Sequence, residues 1–187
     1  MAADLGTTLL RLARRAIAET LGEPAGAREG AARLDEPGAT FVTLTRCGEL
    51  RGCIGTLIAE RALREDVEAN ARAAAFRDPR FAPVTAREFA EIAVEVSLLS
   101  TLEPLSFESE AQLLTLLRPG LDGVLLEYGR QRGTFLPQVW DQLPEPQAFL
   151  DHLKQKAGLP ADFWTRDLKV SRYTVSKWRE NEPPRMN

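Results

Sequence analysis

Hydrophobic residues recur at helical spacing at the start of the chain. Leu9, Leu10, Ala13, Ala16, Ile17 and Leu21 fall on one face of a helix predicted from Leu5 to Leu21 and stopped at Gly22. The stretch from Glu23 to Pro37, rich in Ala, Gly, Arg and Pro, is expected as a surface connection with at most a short helix. The period then falls to two. Phe41 to Arg46 and Leu50 to Leu57 alternate around the turn residues Cys47, Gly48 and Glu49, which predicts a β-hairpin.

Leu63, Val67, Ala71 and Ala74 mark a second helix that has to stop before Asp78-Pro79, because a proline disfavours helical backbone in the residue before it. Thr85-Ala86-Arg87-Glu88 has the form of a capping box at a short helix start. In the strand expected from Ile92 to Leu99, Ile92, Val94, Val96 and Leu98 take one face, and Ala93, Glu95, Ser97 and Leu99 the other. Further on, a helix over Ser109 to Leu117 precedes a second hairpin from Val124 to Tyr128 and Gly133 to Leu136. A helix then starts at Pro146, buries Phe149, Leu150, Leu153 and Ala157, and is capped by Gly158. Leu168 to Trp178 is expected as one polar-alternating edge strand. Strands and helices without a regular βαβ rhythm predict an α+β fold built on a mainly antiparallel sheet.

A chain of 187 residues is close to the prior of about 150 per domain, so one domain over residues 5–180 with a flexible tail over 181–187 is the economical expectation. The longest apolar runs fall short of the roughly 18 residues a membrane span needs. The N-terminus places its arginines after its apolar residues, unlike a secretory leader, which predicts a cytoplasmic protein. With only Cys47, Cys53 and His152 to offer thiol or imidazole ligands, neither a disulfide scaffold nor a zinc site is expected, and no cofactor is predicted. A net charge of −3 argues against nucleic acid as the main partner. The cation-rich segment from Lys154 to Arg179 is the one local exception, and a solvated face accounts for it more simply than a binding surface does.

The candidate chemistry centres on Leu50-Arg51-Gly52-Cys53-Ile54-Gly55. On a strand Arg51, Cys53 and Gly55 share a face, so a guanidinium flanks a thiol and favours its nucleophilic thiolate form. That makes Cys53 the more reactive thiol in prospect, although Cys47 sits at the exposed turn. Gly52 and Gly55 leave room for a ligand or another backbone to come close, while strand packing of a small hydrophobe explains the same residues without chemistry. Glu95, a carboxylate within an apolar strand, is the candidate general base or partner of Arg51. Arg80, after the Asp78-Pro79 turn, suits an anionic ligand, although a surface arginine that anchors its own loop is the commoner case. His152 lies off the apolar face of its helix and is not assigned as a base. The three tryptophans, Trp140, Trp164 and Trp178, are expected to pack.

The hexapeptide matches the hallmark of the AMMECR family, known in prokaryotes as AmmeMemoRadiSam system protein A. Four blocks follow it in order, each similar to a family block: Asp78-Pro79-Arg80-Phe81, Glu95-Val96-Ser97, Gly133 to Val139, and Lys156-Ala157-Gly158-Leu159-Pro160. Cys47 departs from the pattern, since Asp or a similar polar residue is expected at that turn. The resemblance implies an α+β fold with a larger and a smaller lobe and a cleft near the hexapeptide. Cys53 and Glu95 are the candidate catalytic residues, Glu95 being equally well explained as a carboxylate facing solvent on an open sheet. The candidate ligand-binding residues are Arg51, Gly52, Gly55, Arg80, Ser97, Tyr128, Thr134 and Gln138. The prokaryotic name implies a pathway link to a Memo-type protein and a radical S-adenosylmethionine enzyme as partners. It carries no reaction.

Three functional classes therefore stand. The first is a Cys53 cleft that binds a small molecule or peptide segment and acts on it if it is an enzyme. The second is a non-catalytic interaction module, and the third nucleic-acid binding through residues 154–179.

Overall fold

The change of period along the chain becomes helices laid over one face of a sheet. A computed structural model describes residues 4–26, 33–181 and 183. In chain order the elements are helix α1 (Leu5–Leu21), strands β1 (Thr40–Arg46) and β2 (Glu49–Gly55), helices α2 (Leu63–Phe76) and α3 (Ala86–Phe89), and strands β3 (Ile92–Leu99) and β4 (Glu103–Pro104). Helix α4 (Glu110–Leu116), strands β5 (Gly123–Tyr128) and β6 (Gln131–Phe135), helix α5 (Pro146–Lys156), and strands β7 (Lys169–Tyr173) and β8 (Val175–Arg179) complete them. Residues 27–32 of the expected connection lie outside the described residues, as does the expected tail apart from Asn181 and Pro183.

The contacts divide the chain into two compact units, the larger comprising residues through Leu99 and from Ser176 onward, the other Ser100–Val175. Each holds an antiparallel sheet with helices, so the fold class is α+β. In the larger unit the strand order is β2-β1-β3-β8, which leaves β2 and β8 at the sheet edges. Val42, Leu44, Ile92, Val94 and Val96 point from the strands into one core with Leu9, Leu12, Ala13, Ala16 and Ile17 of α1 and Val67, Ala71 and Ala74 of α2. The face of Ile92, Val94 and Val96 is therefore the one against the helices, while Ala93, Ser97 and Leu99 on the opposite face are buried as well. Helix α1 ends as the glycine requires: Gly22 takes φ 73° and its amide reaches the carbonyls of Ala18 and Glu19.

In the second unit the order is β4-β7-β5-β6. Its core joins Val124, Leu126 and Val170 to Leu113 of α4 and Phe149, Leu150 and Leu153 of α5. Trp140 is 3% exposed, stacks on Phe149 at 3.7 Å, and donates its indole N–H to the Asp122 carbonyl at 2.7 Å. That is packing, with the polar edge of the ring satisfied.

One expected element is corrected. The strand predicted from Leu168 to Trp178 is two strands in two sheets, and the first of them is interior rather than an edge. β7 runs between β4 and β5. At Thr174 the chain exchanges hydrogen bonds with Ser100, its amide to Ser100 Oγ and its carbonyl from the Ser100 amide, both at 2.9 Å. β8 then pairs beside β3. Apolar residues take even positions at Leu168 and Val170 and odd ones at Tyr173 and Val175, so the pattern slips by one just before the change of sheet, with no glycine or proline to mark it as a break.

Candidate functional site

The hairpin that presents Cys53 is closed by Cys47 and Gly48 at φ 53° and 84°. Two successive left-handed residues are what a two-residue hairpin loop of the primed type requires. β2 pairs with β1 antiparallel, Cys53 opposite Thr43, and Thr43 is in turn opposite Glu95 of β3. Cys53, Thr43 and Glu95 thus form one row across three strands, on the face away from the helical core. At strand spacings of about 4.8 Å, Glu95 is two strands from Cys53. Its carboxylate pairs with Lys177 at 3.4 Å. Ser97 lies in the next row, opposite Phe41, and is 6% exposed.

Strict alternation fails at one point. The register shifts between Leu44, opposite Gly52, and Thr45, opposite Leu50, so Arg51 is an extra residue and Leu50 moves to the face of Thr45 and Cys53. Leu50 is 43% exposed there.

The glycines are filled by the chain itself. A Cβ on Gly52 would lie 2.2 Å from the Ala74 carbonyl oxygen at the end of α2, and one on Gly55 would lie 2.3 Å from the Phe41 ring. Of the two uses foreseen for these glycines, close approach of the protein's own atoms is the one realised.

Asp78 organises the site. Its carboxylate is buried, at 1% side-chain exposure, and accepts the Cys53 amide at 2.9 Å. It also accepts the Arg80 amide at 3.1 Å and grips the Arg80 guanidinium through Nε at 3.0 Å and Nη2 at 2.7 Å. Arg80 Nη2 then reaches the Cys53 carbonyl at 3.3 Å. Both main-chain groups of Cys53 on the outer side of an edge strand are therefore served by one loop, which leaves no open ladder there. The Arg80 bond, then the amides of Cys53 and Arg80, hold the Asp78 carboxyl far below the ordinary carboxylate range against the opposing effect of burial. Arg80 is raised in return, chiefly by its bond to Asp78, while its side chain stays 54% exposed.

Cys53 is half-buried, and its sulfur accepts a hydrogen bond from Thr43 Oγ1 at 3.3 Å. That neighbour is a hydroxyl donor, not a base. Arg51, foreseen as the activating cation, spends its donors elsewhere: Nε on Glu88 at 3.2 Å and Nη2 on the Ala82 carbonyl at 2.8 Å. Its Nη1 is buried without a hydrogen-bond partner. Glu88 also completes the capping box with Thr85 and takes Arg46 at 3.3 Å. Burial pushes the Glu88 carboxyl up, but the bonds from Arg51 and Thr85 outweigh it and hold the group low. The structure thus pairs Arg51 with Glu88 and Glu95 with Lys177.

Tyr128, Thr134 and Gln138 belong to the second unit. Tyr128 packs on Phe163 with ring centres 4.9 Å apart. Thr134 Oγ1 donates to the Val124 carbonyl at 2.9 Å and lies 2.9 Å from Tyr173 Oη, which donates to the Phe135 carbonyl. Gln138 sits in a 3₁₀ turn, Pro137–Asp141. His152 is exposed, with Nδ1 2.8 Å from the Ala148 carbonyl. In the cation-rich segment, Lys154 is fully buried on Glu110 at 2.6 Å, and Arg172 pairs with Glu103 at 2.7 Å. Among the described residues no group of three His, Cys, Asp or Glu is arranged to hold a metal ion, and no helix is long and apolar enough to cross a membrane.

Sequence reasoning passed over Thr43, Asp78 and Glu88 as site-formers, and it missed a buried polar network altogether. Asp66, 1% exposed, accepts from Thr40 Oγ1 at 2.6 Å, Thr56 Oγ1 at 2.6 Å, Arg61 Nε at 2.9 Å and Asn70 Nδ2 at 3.0 Å. Two polar residues at i, i+4 on the apolar face of α2 were the available signal. With its carboxylate bound on every side, the network ties α2 to β1 and to the loop after β2.

The AMMECR1 family model matches residues 10–178, which takes in residues of both units. A protein of Thermofilum pendens is 38% identical over 98% of this chain and 93% of its own length, and one of Methanothermobacter thermautotrophicus is 39% identical over 95% of each. The crystal structure of an uncharacterised protein from Pyrococcus horikoshii covers 95% of this chain and 92% of its own, with 36% identity and a TM-score of 0.83. A match over residues 10–178, together with relatives this similar over nearly the whole chain, means that the chain belongs to the AMMECR1 family.

Proposed function

We propose that the chain is a binding protein whose recognition surface is the corner made by Cys53, Thr43 and Arg80. It takes a small molecule or peptide segment that sets an anionic group against Arg80, in a pathway with Memo-type and radical S-adenosylmethionine proteins. The observation that carries this reading is the grip of Asp78 on Arg80. A guanidinium held through two nitrogens has lost its rotamer freedom before a ligand arrives, yet it is half-exposed beside a half-buried thiol. Binding is favoured over turnover because the sulfur's partner is the Thr43 hydroxyl and Arg51 is committed to Glu88.

The test is affinity of the purified chain for the Memo-type and radical S-adenosylmethionine proteins of its own source, measured for the parent, Arg80→Glu and Cys53→Ser. Binding by the parent and a loss of about tenfold or more in Arg80→Glu support the reading. Equal affinity of all three, or no binding by the parent, contradicts it.

A further inference from the structure

A cavity in the larger unit contains no residue of the Cys53 surface. It has a volume of about 350 Å³ and is lined by Arg11, Arg14, Arg15, Ala18, Pro24 to Gly26, and Phe89. Among the described residues, three arginines and no carboxylate face it. Two of them come from successive positions of α1 and the third from one turn earlier, so one helix delivers all three.

Their surroundings differ. Arg14 is spent: it pairs with Glu180 through Nε and Nη2, both at 2.7 Å, reaches the Ile92 carbonyl at 2.6 Å, and lies over the Phe89 ring at 4.9 Å. Arg15 is not. Only 8% of it is exposed, its Nε is fixed by Glu19 at 2.8 Å, and its Nη1 is buried without an acceptor. A buried guanidinium N–H without an acceptor is among the costlier states of a side chain, and an acceptor bearing negative charge relieves it best. Glu19 holds Arg15 in place, and its own carboxyl is held below the ordinary value, first by Arg15 and then, against burial, by Arg72.

We infer that this cavity is a binding site for a small organic anion, a phosphate or carboxylate group attached to a compact apolar or planar body. The charged group lies against the Arg15 guanidinium, whose Nη1 it reaches once that side chain shifts to bring the atom to the cavity wall. The body lies against Phe89, Ala18 and Pro24, in a volume at the small end of ligand cavities. This assignment rests on α1 and α3 and is independent of the binding surface at Cys53.

The experiment is calorimetric titration of the full chain with phenyl phosphate, benzoate and inorganic phosphate. One of the two organic anions binds saturably, and inorganic phosphate binds about tenfold more weakly because it leaves the apolar wall bare. The tighter of phenyl phosphate and benzoate identifies the charged group. Arg15→Lys, which keeps the charge and loses the planar fork, weakens that binding by about tenfold, while Arg132→Ala in the second unit and Cys53→Ser leave it unchanged. Should Arg15→Lys unfold, Arg11→Ala at the exposed rim decides, with a loss of about threefold or more. Absence of saturable binding by both organic anions up to about 10 mM overturns the assignment. So does binding that Arg15→Lys leaves within about twofold, or that Arg132→Ala weakens equally.

Discussion

Asp78 accepts the amide of Cys53 at 2.9 Å while gripping the same Arg80 that reaches the Cys53 carbonyl. The hexapeptide and the Asp78-Pro79-Arg80-Phe81 block, separated in sequence by a whole helix, are two halves of one device. One half is an edge strand, the other the loop that closes that edge.

Replacing Asp78 by Asn therefore destabilises the fold by about 1–3 kcal/mol at neutral pH, since Arg80 and an edge amide lose their charged acceptor. The effect carries a pH signature. The carboxyl is depressed in the folded state, so its contribution is complete above the ordinary value of 3.8 and is lost progressively as the pH falls below it. Urea unfolding of parent and variant gives a stability gap that narrows from pH 5 towards about pH 2. A gap that does not change with pH removes the ion pair from the account.

Gly52→Ala costs about 3 kcal/mol or more, because the added methyl meets the Ala74 carbonyl of the α2 backbone, which has nowhere to swing. Gly55→Ala costs less, since what it meets is the Phe41 ring. Thermal unfolding of the two variants establishes the order. If the reverse holds, Gly52 is not set by packing against α2.

The elements were legible because their signals are local. The capping box at Thr85, the glycine after α1 and the alternation of Ile92 to Leu99 all appear where the residues place them. The site was legible only in part. Cys53 and Glu95 do share a face, but the bulge at Arg51 and the partners Glu88 and Lys177 depend on register and on segments tens of residues away. Asp78 was read as a turn former because its buried acceptor role exists only once β2 has found an edge.

Cys47→Asn stabilises the protein by about 0.5–1 kcal/mol. Cys47 holds φ 53°, a left-handed conformation that asparagine tolerates better and that hairpin loops before glycine favour. Chemical denaturation detects a gain of this size, and a loss means that the Cys47 thiol has a contact of its own.

Tyr173 titrates at about 12, pushed up by burial although its bond to Thr134 works the other way. An acid raised in the folded state stabilises fully below its unfolded value and loses that contribution as the pH climbs towards the folded one. Parent stability accordingly declines between about pH 10 and pH 12, and Tyr173→Phe lacks that component while costing about 1 kcal/mol at neutral pH. Identical alkaline profiles for the two proteins count against a buried, neutral phenol.

The central claim is that the Cys53 corner is a surface partners reach, and rate-resolved alkylation of the native protein tests it most directly. Mass spectrometry follows Cys53 and Cys47 separately, with and without the Memo-type protein of the same source. The account predicts that Cys53 reacts in the folded state and is protected about tenfold by the bound partner, while the exposed turn thiol of Cys47 keeps its rate. A Cys53 that reacts only as the protein unfolds, or at a rate the partner leaves unchanged, contradicts it.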